Sequence, residues 1–197
     1  MRDRNAPGRP REFDDIEMLR KIMKLFWKGG YEGVSLSEIM RETGLQKASL
    51  YAAFGDKRAL YLKDLAQYHE DVVASAARAL EDTTQPASSR VEAFLRAPLE
   101  AARLEDRTGC FLCNASADQA DLDLATKQQV KRGFEALTRA LARPVAELSP
   151  ARDETEVLAT ARTLVSVYIG LRIMVRSGLG LEQLDACVPQ AMTFANA

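Results

Sequence analysis

The 197-residue chain holds one histidine, one tryptophan and three cysteines. A zinc site needs several His, Cys or carboxylate ligands in close pairs, so a lone His69 beside a single Cys110-x-x-Cys113 pair argues against a metal centre. The third thiol, Cys187, leaves an odd count. That argues against a disulfide framework and for a reduced, cytoplasmic setting, as does the absence of an apolar export segment behind Met1. Neither a Walker lysine motif nor a GxGxxG loop occurs, and "GLG" at 178–180 reads as a turn, so no phosphate-bearing cofactor is expected. A Ser-His-Asp arrangement would have to enlist His69, with nothing nearby to mark a nucleophile; catalysis is not expected. The most apolar run, "LVSVYIGLRIMV" (164–175), is too short to cross a bilayer and contains Arg172, so no membrane partner is expected. Alternation of period two is missing as well, which excludes a sheet.

What remains is helix. Apolar residues recur at helical spacing almost throughout. The pattern predicts nine helices, over 14–29, 35–44, 46–53, 56–81, 88–104, 110–117, 121–143, 153–177 and 181–195, an all-α chain. Ile16, Leu19, Ile22, Met23, Phe26 and Trp27 form the expected buried stripe of the first, which Gly29-Gly30 should end. Leu60, Leu65, Val72, Val73 and Leu80 should line the inside of the fourth, and Val130, Phe134, Leu137 and Leu141 that of the seventh. Pro98 should disturb the fifth helix, and "RPVAELSP" should close the seventh. Residues 1–11 read as a flexible basic arm, 12–58 as one domain and 59–197 as another. Charge divides with them: residues 1–60 carry 12 Lys+Arg against 9 Asp+Glu, and residues 61–197 carry 15 against 19. A basic front on an acidic rear suggests that the front meets a polyanion.

The stretch "RETGLQKASLYAAF" (41–54) joins two short helices through a glycine, a helix-turn-helix pattern. Ser35 and Glu38 in "SLSE" can cap the first helix reciprocally. Leu36, Ile39, Met40, Leu45 and Leu50 can pack inward, leaving Gln46, Lys47, Ala48, Ser49, Tyr51 and Ala52 outside. Small and polar residues there suit a helix pressed into a major groove. Amides at the Ser35 end and the charge of Lys57 can hold phosphates. Used only for packing, the same hairpin would make a helical interaction module with no DNA role.

Residues 30–65, "GYEGVSLSEIMRETGLQKASLYAAFGDKRALYLKDL", resemble the DNA-binding domain of the tetracycline-repressor (TetR) family. The likeness rests on the Gly-Tyr approach, the turn glycine, and the block of Leu50, Tyr51, Phe54, Lys57 and Leu60. It implies a homodimeric transcriptional regulator on double-stranded operator DNA, usually a repressor released by a small-molecule effector. It also implies that Tyr51, Lys57 and Ser35 hold phosphates and that Gln46, Lys47 and Ala48 face bases. Ala52-Ala53 stand where many members have an aromatic or His before the Phe, so base-reading rules do not transfer. In the arm, Arg9 and Arg11 flank Pro10, and the Gly-Arg-Pro core resembles an AT-hook suited to a narrow minor groove.

In the rear, helix 153–177 is apolar on more than one face. Leu158, Ala161 and Val165, with Leu184, Val188 and Met192 of the last helix, are the expected dimer interface, which in the family is a four-helix one. "TGCFLCNASADQ" (108–119) places Cys110 at a helix start, where its thiol pKa should fall. Cys110, Phe111, Cys113, Asn114, Phe134 and Tyr168 are the candidate ligand or redox residues. A thiol oxidoreductase built on the CxxC pair is the competing reading, and plain packing of the two cysteines is the simpler one.

Overall fold

The computed structural model describes residues 11–118 and 123–196. The arm, with Arg9, lies outside the described residues, as does the segment 119–122. Among the described residues every regular element is helical. The chain divides into two compact units, one through Gln67 and the other from Tyr68. The division falls beyond the expected 58/59 boundary because Leu60, Tyr61 and Leu65 are buried with the first unit's core.

In the first unit, α1 spans Arg11–Gly33, α2 Leu36–Thr43, α3 Lys47–Phe54 and α4 Lys57–Tyr68. Helix α1 begins earlier than expected, taking the backbone of Arg11 out of the arm. Its geometry breaks at Gly30 (φ 72°), where an end was expected, and one further turn follows. Ile22, Met23 and Phe26 are buried and Leu19 and Trp27 half-buried, but Ile16 is 41% exposed and leaves the predicted stripe. Phe26 meets Tyr61 edge-on at 5.1 Å, and Ile39, Leu50 and Phe54 complete the core. Gly44 takes φ 70° and donates its amide to Met40 O at 2.9 Å, ending α2 in a left-handed cap. A Cβ there would meet no atom within 4 Å, so backbone conformation, and not space, calls for glycine. Ser35 Oγ accepts from the Glu38 amide at 3.1 Å, half of the expected box. The full reciprocal box forms at Asp153 and Glu156 in the second unit.

The second unit holds α5 (Ala74–Glu81), α6 (Ala87–Arg103), α7 (Phe111–Asp118), α8 (Leu124–Leu148), α9 (Glu154–Arg176), α10 (Leu181–Asp185) and α11 (Cys187–Asn196). A π-helical turn, His69–Val73, precedes α5. Counting α4, this turn and α5 as one helix, and α10 with α11 as another, gives nine among the described residues. Helices α8 and α9 pack on each other and both on α6, while α5 closes on α8 and α11 on α9. His69 is a wedge: its Nε2 stands 2.9 Å from Gln129 O, and a side chain at Gly133 would strike its ring at 2.9 Å. Burial lowers its pKa.

Two expected helix spans need correction, each at a proline. Helix α8 runs through Pro144 to Leu148 instead of closing near 143, because Pro144 and Val145 are both buried and their packing outweighs the lost backbone bond. The last helix splits at Ala186, since Pro189 offers no amide to Asp185 O. The apolar run judged too short belongs to the 23-residue α9, long and apolar enough by composition to cross a membrane, yet its buried stripe packs against α6, α8 and α11.

Candidate DNA-reading helix and second-unit cavity

Burial of Leu50 and Phe54, four residues apart, fixes which face of α3 turns outward. Gln46, Lys47, Ala48, Ser49, Tyr51, Ala52 and Ala53 are all exposed. Gly55 ends the helix at φ 85°, and a Cβ there would stand 2.9 Å from the Ala59 Cβ. Asp56 Oδ1 then caps α4 by accepting from the Ala59 amide at 2.7 Å. This tight turn sets Lys57 in the first turn of α4. Its Nζ lies 4.5 Å over the Tyr31 ring, and Tyr31 in turn packs edge-on against Tyr61 at 5.1 Å. Lys47 Nζ is held 5.6 Å over the Tyr51 ring. Both cations are thus held on aromatic faces before any partner arrives. Tyr31 was visible in the sequence as the aromatic of the Gly-Tyr approach, but its support of Lys57 was not. A surface groove between α1 and α3, edged by Asp15 and Glu17, has Ser49 and Ala52 along its side.

In the second unit, Gly109 takes φ 80° and a Cβ there would stand 3.1 Å from the Arg176 side chain. Helix α7 starts at Phe111, one residue later than the expected 110, so Cys110 is the residue just before it. The Asn114 amide bonds Cys110 O at 3.0 Å, closing the first turn. The Cys110 sulfur caps this turn as a Ser or Asp would. The Cys113 thiol donates to it, the Cys113 amide does the same, Tyr68 Oη donates at 3.8 Å, and Arg172 adds positive potential. These outweigh burial and pull the Cys110 pKa down to about 6. The Cys113 thiol, spent as a donor, is pushed up. Both cysteines are free thiols.

The other predicted ligand residues separate. Phe111 is core, edge-on to Tyr68 at 5.7 Å, and Asn114 Nδ2 donates to Thr108 O in the turn. Phe134 is half-buried on α8 and does not line the cavity below. Tyr168 does: it stacks on Phe94 at 4.3 Å beside a cavity of about 450 Å³ between α5, α6 and α9. Its walls include Val72, Ala76, Ala93, Phe94 and Ala97, with Arg90 and Arg172 as its cations. Arg90 is buried and donates to Leu80 O, Gln85 O and Glu147. Arg172 donates to Tyr168 Oη at 3.0 Å and to Gly109 O at 3.4 Å. Burial opposes its charge, but Tyr168, Tyr68 and Cys110 more than offset that, so it stays charged. Sequence reasoning used Arg172 only against a membrane span; a lone cation inside an apolar run was the signal available.

Four of the six residues expected at a dimer interface are core. Ala161 (0% exposed), Val165 (4%), Leu184 (2%) and Val188 (0%) face α6, α8 and their neighbours within the unit and are unavailable to a second copy. Leu158 and Met192 are half-buried. The face of α9 left outward carries Thr163, Ser166, Gly170 and Ile173, with Phe194 of α11 also exposed.

The profile described as "Bacterial regulatory proteins, tetR family" matches residues 18–63. The HTH-type transcriptional repressor ComR of Escherichia coli is 30% identical over 188 residues, covering 92% of this chain and 88% of that one. The HTH-type transcriptional repressor BdcR of the same organism is 28% identical, covering 94% and 91%. Among solved structures, a cysteine mutant of the TetR family transcriptional regulator CifR, complexed with 26 bp operator DNA, is similar at TM-score 0.75 and 26% identity, covering 94% of this chain and 98% of that one.

Proposed function

The chain belongs to the TetR family, and on that premise we propose that it is a homodimeric repressor that reads operator DNA with α3 and releases it on binding a small-molecule effector in the cytoplasm. The outward face of α3 carries the reading: Gln46, Lys47, Ala48, Ser49 and Tyr51 project from a helix anchored by Leu50 and Phe54, beside the aromatic-held Lys57. Lys47 and Gln46 address base edges, and Tyr51, Lys57 and Ser35 grip phosphates. Arg9 of the arm and Arg11 at the start of α1 extend the grip. Two-fold pairing puts two α3 helices on half-sites one or more turns apart (~34 Å per turn) in a near-palindrome. The outward strip of α9 with Ile173, together with Phe194, is the pairing face, in place of the core residues above. A fluorescence-anisotropy titration of purified protein with its own upstream intergenic DNA tests this. Specific, salt-dependent binding by a dimer, lost in Lys47→Ala, supports it; a monomer that ignores the fragment at low salt refutes it.

Cys110 supports a second, thiol-dependent mode of release. Its thiolate can attack the distal oxygen of a hydroperoxide, expelling an alkoxide and leaving a sulfenic acid. The Cys113 sulfur then displaces water to form a disulfide. Operator release by hydroperoxide in the wild type, but not in Cys110→Ser, supports this mode; equal release in both ends it. The helical fold leaves no thioredoxin-like βαβ unit among the described residues, which disfavours the oxidoreductase reading.

A further inference from the structure

We propose that the cavity between α5, α6 and α9 is the binding site of a small apolar monocarboxylate, whose carboxylate pairs with Arg172. The proposal rests on the effector-release reading above and names the chemistry of that effector. The first ground is an imbalance of charge. Arg172 is half-buried at the cavity wall, and its guanidinium is bonded to neutral acceptors, Tyr168 Oη and Gly109 O. Among the described residues no carboxylate pairs with it, and none of their acceptors takes its Nη2. The Cys110 thiolate offsets this charge only through space and takes no hydrogen bond from the guanidinium, so a hydrogen-bonded anion is still missing from a half-buried cation. Arg90, the other cation of the cavity, is already matched by Glu147 and two carbonyls. One anionic position is therefore open.

The second ground is the remainder of the wall. Ala76, Ala93 and Ala97 present short side chains where longer ones would fill the space, and Val72, Leu80 and Phe94 make the rest apolar. The volume, about 450 Å³, lies in the range of small-molecule sites, roughly 300–1,000 Å³. Asp82 lines the same cavity, its carboxylate accepting from the Thr84 amide at 3.0 Å and hydroxyl at 2.7 Å. A second anionic group on the ligand would meet that charge instead of a cation. One carboxylate on an apolar body is thus the class that satisfies the site, and a diacid or a phosphate ester is not.

The test is calorimetric titration of the full-length protein with phenylbutyrate and octanoate, and with phenylbutyramide as the neutral isostere. Both acids should bind the wild type, the amide about 10- to 100-fold more weakly, as loss of one charge-assisted bond implies. Arg172→Gln should weaken the acids to the level of the amide. Ala93→Phe, which fills the cavity and leaves the guanidinium in place, should abolish binding of all three. Operator binding by each variant shows that it has folded. Amide and acid of equal affinity, retained acid binding in Arg172→Gln, or no binding of either acid at millimolar concentration overturns the proposal. The wider reading fails separately: acids that bind through Arg172 and leave operator affinity unchanged sustain the site and remove effector release. A neutral compound that releases the operator while the acids do not bind sustains release and removes the site.

Discussion

Replacing Cys113 by alanine should raise the pKa of Cys110 without touching Cys110 itself. The thiol of Cys113 is the largest influence holding the Cys110 sulfur as thiolate, ahead of the Cys113 amide, Tyr68 and Arg172. A hydrogen bond to a charged group contributes about 1.5–3 kcal/mol, or roughly one to two pKa units. From about 6, Cys110 should therefore move to roughly 7–8. At neutral pH its thiolate fraction would fall from about nine-tenths to between about a half and a tenth. Thiolate ultraviolet absorbance, read as a difference from Cys110→Ser across a pH series, reports this without needing reagent access to a buried sulfur. Stability should follow: a depressed folded-state pKa adds stability that is complete above the unfolded thiol value and is lost as pH falls through about 6. Cys110→Ser should lack that slope while keeping the cap. If wild-type Cys110 titrates at the ordinary thiol value, or Cys113→Ala leaves its titration in place, the account of the donors around this sulfur is wrong.

Other expectations follow from the first unit. Lys57→Ala should weaken operator binding across sequences and lower the salt slope by about one for each phosphate no longer neutralised, whereas Lys47→Ala should also flatten the preference among operator variants; competition titrations at several salt concentrations separate them. Tyr31→Leu should weaken binding less than Lys57→Ala, by freeing the lysine from its ring. Asp64 is fully buried, and among the described residues neither of its oxygens has a hydrogen-bond partner, so burial raises its pKa well above the usual carboxylate value. The folded state then holds the proton more tightly, and stability is lost as pH rises from the ordinary Asp value toward the raised one. Asp64→Asn should flatten that dependence in thermal melts; an unchanged slope would refute it. Gly44→Ala should destabilise the protein by about 1 kcal/mol through its positive φ, although the site has room for a methyl group.

The helices and the outward face of α3 were legible because local rules govern them. Spacing placed Leu50 and Phe54 inward, a glycine at 44 announced the turn, and nothing distant had to be known. The failures share a cause. Pro144 looked like a stop, but burial of its ring and of Val145 carried α8 onward. Ala161 and Val188 looked like interface because α9 and α11 are apolar on several faces, and periodicity does not say whether a face meets its own chain or another. The thiol environment was half legible. The helix start predicted a lowered pKa, but Tyr68 and Arg172 reach Cys110 from elements 42 and 62 residues away in sequence.

Those same interactions join the two chemistries proposed for the second unit. Arg172 lowers the Cys110 pKa, and Cys110 in turn helps to keep Arg172 charged. An acid that takes the Arg172 guanidinium would partly neutralise that potential, so Cys110 should bind its proton more tightly in the complex. Linkage requires the converse: protonation of Cys110 removes the thiolate charge, leaves Arg172 less compensated, and should tighten acid binding by the same factor. Saturating phenylbutyrate should therefore slow alkylation of Cys110 by iodoacetamide at about pH 6–7 and shift the thiolate titration upward. The shift, unlike the slowing, cannot arise from blocked access. A titration that stays in place while the acid is bound would mean that the thiol and the cavity act as separate devices.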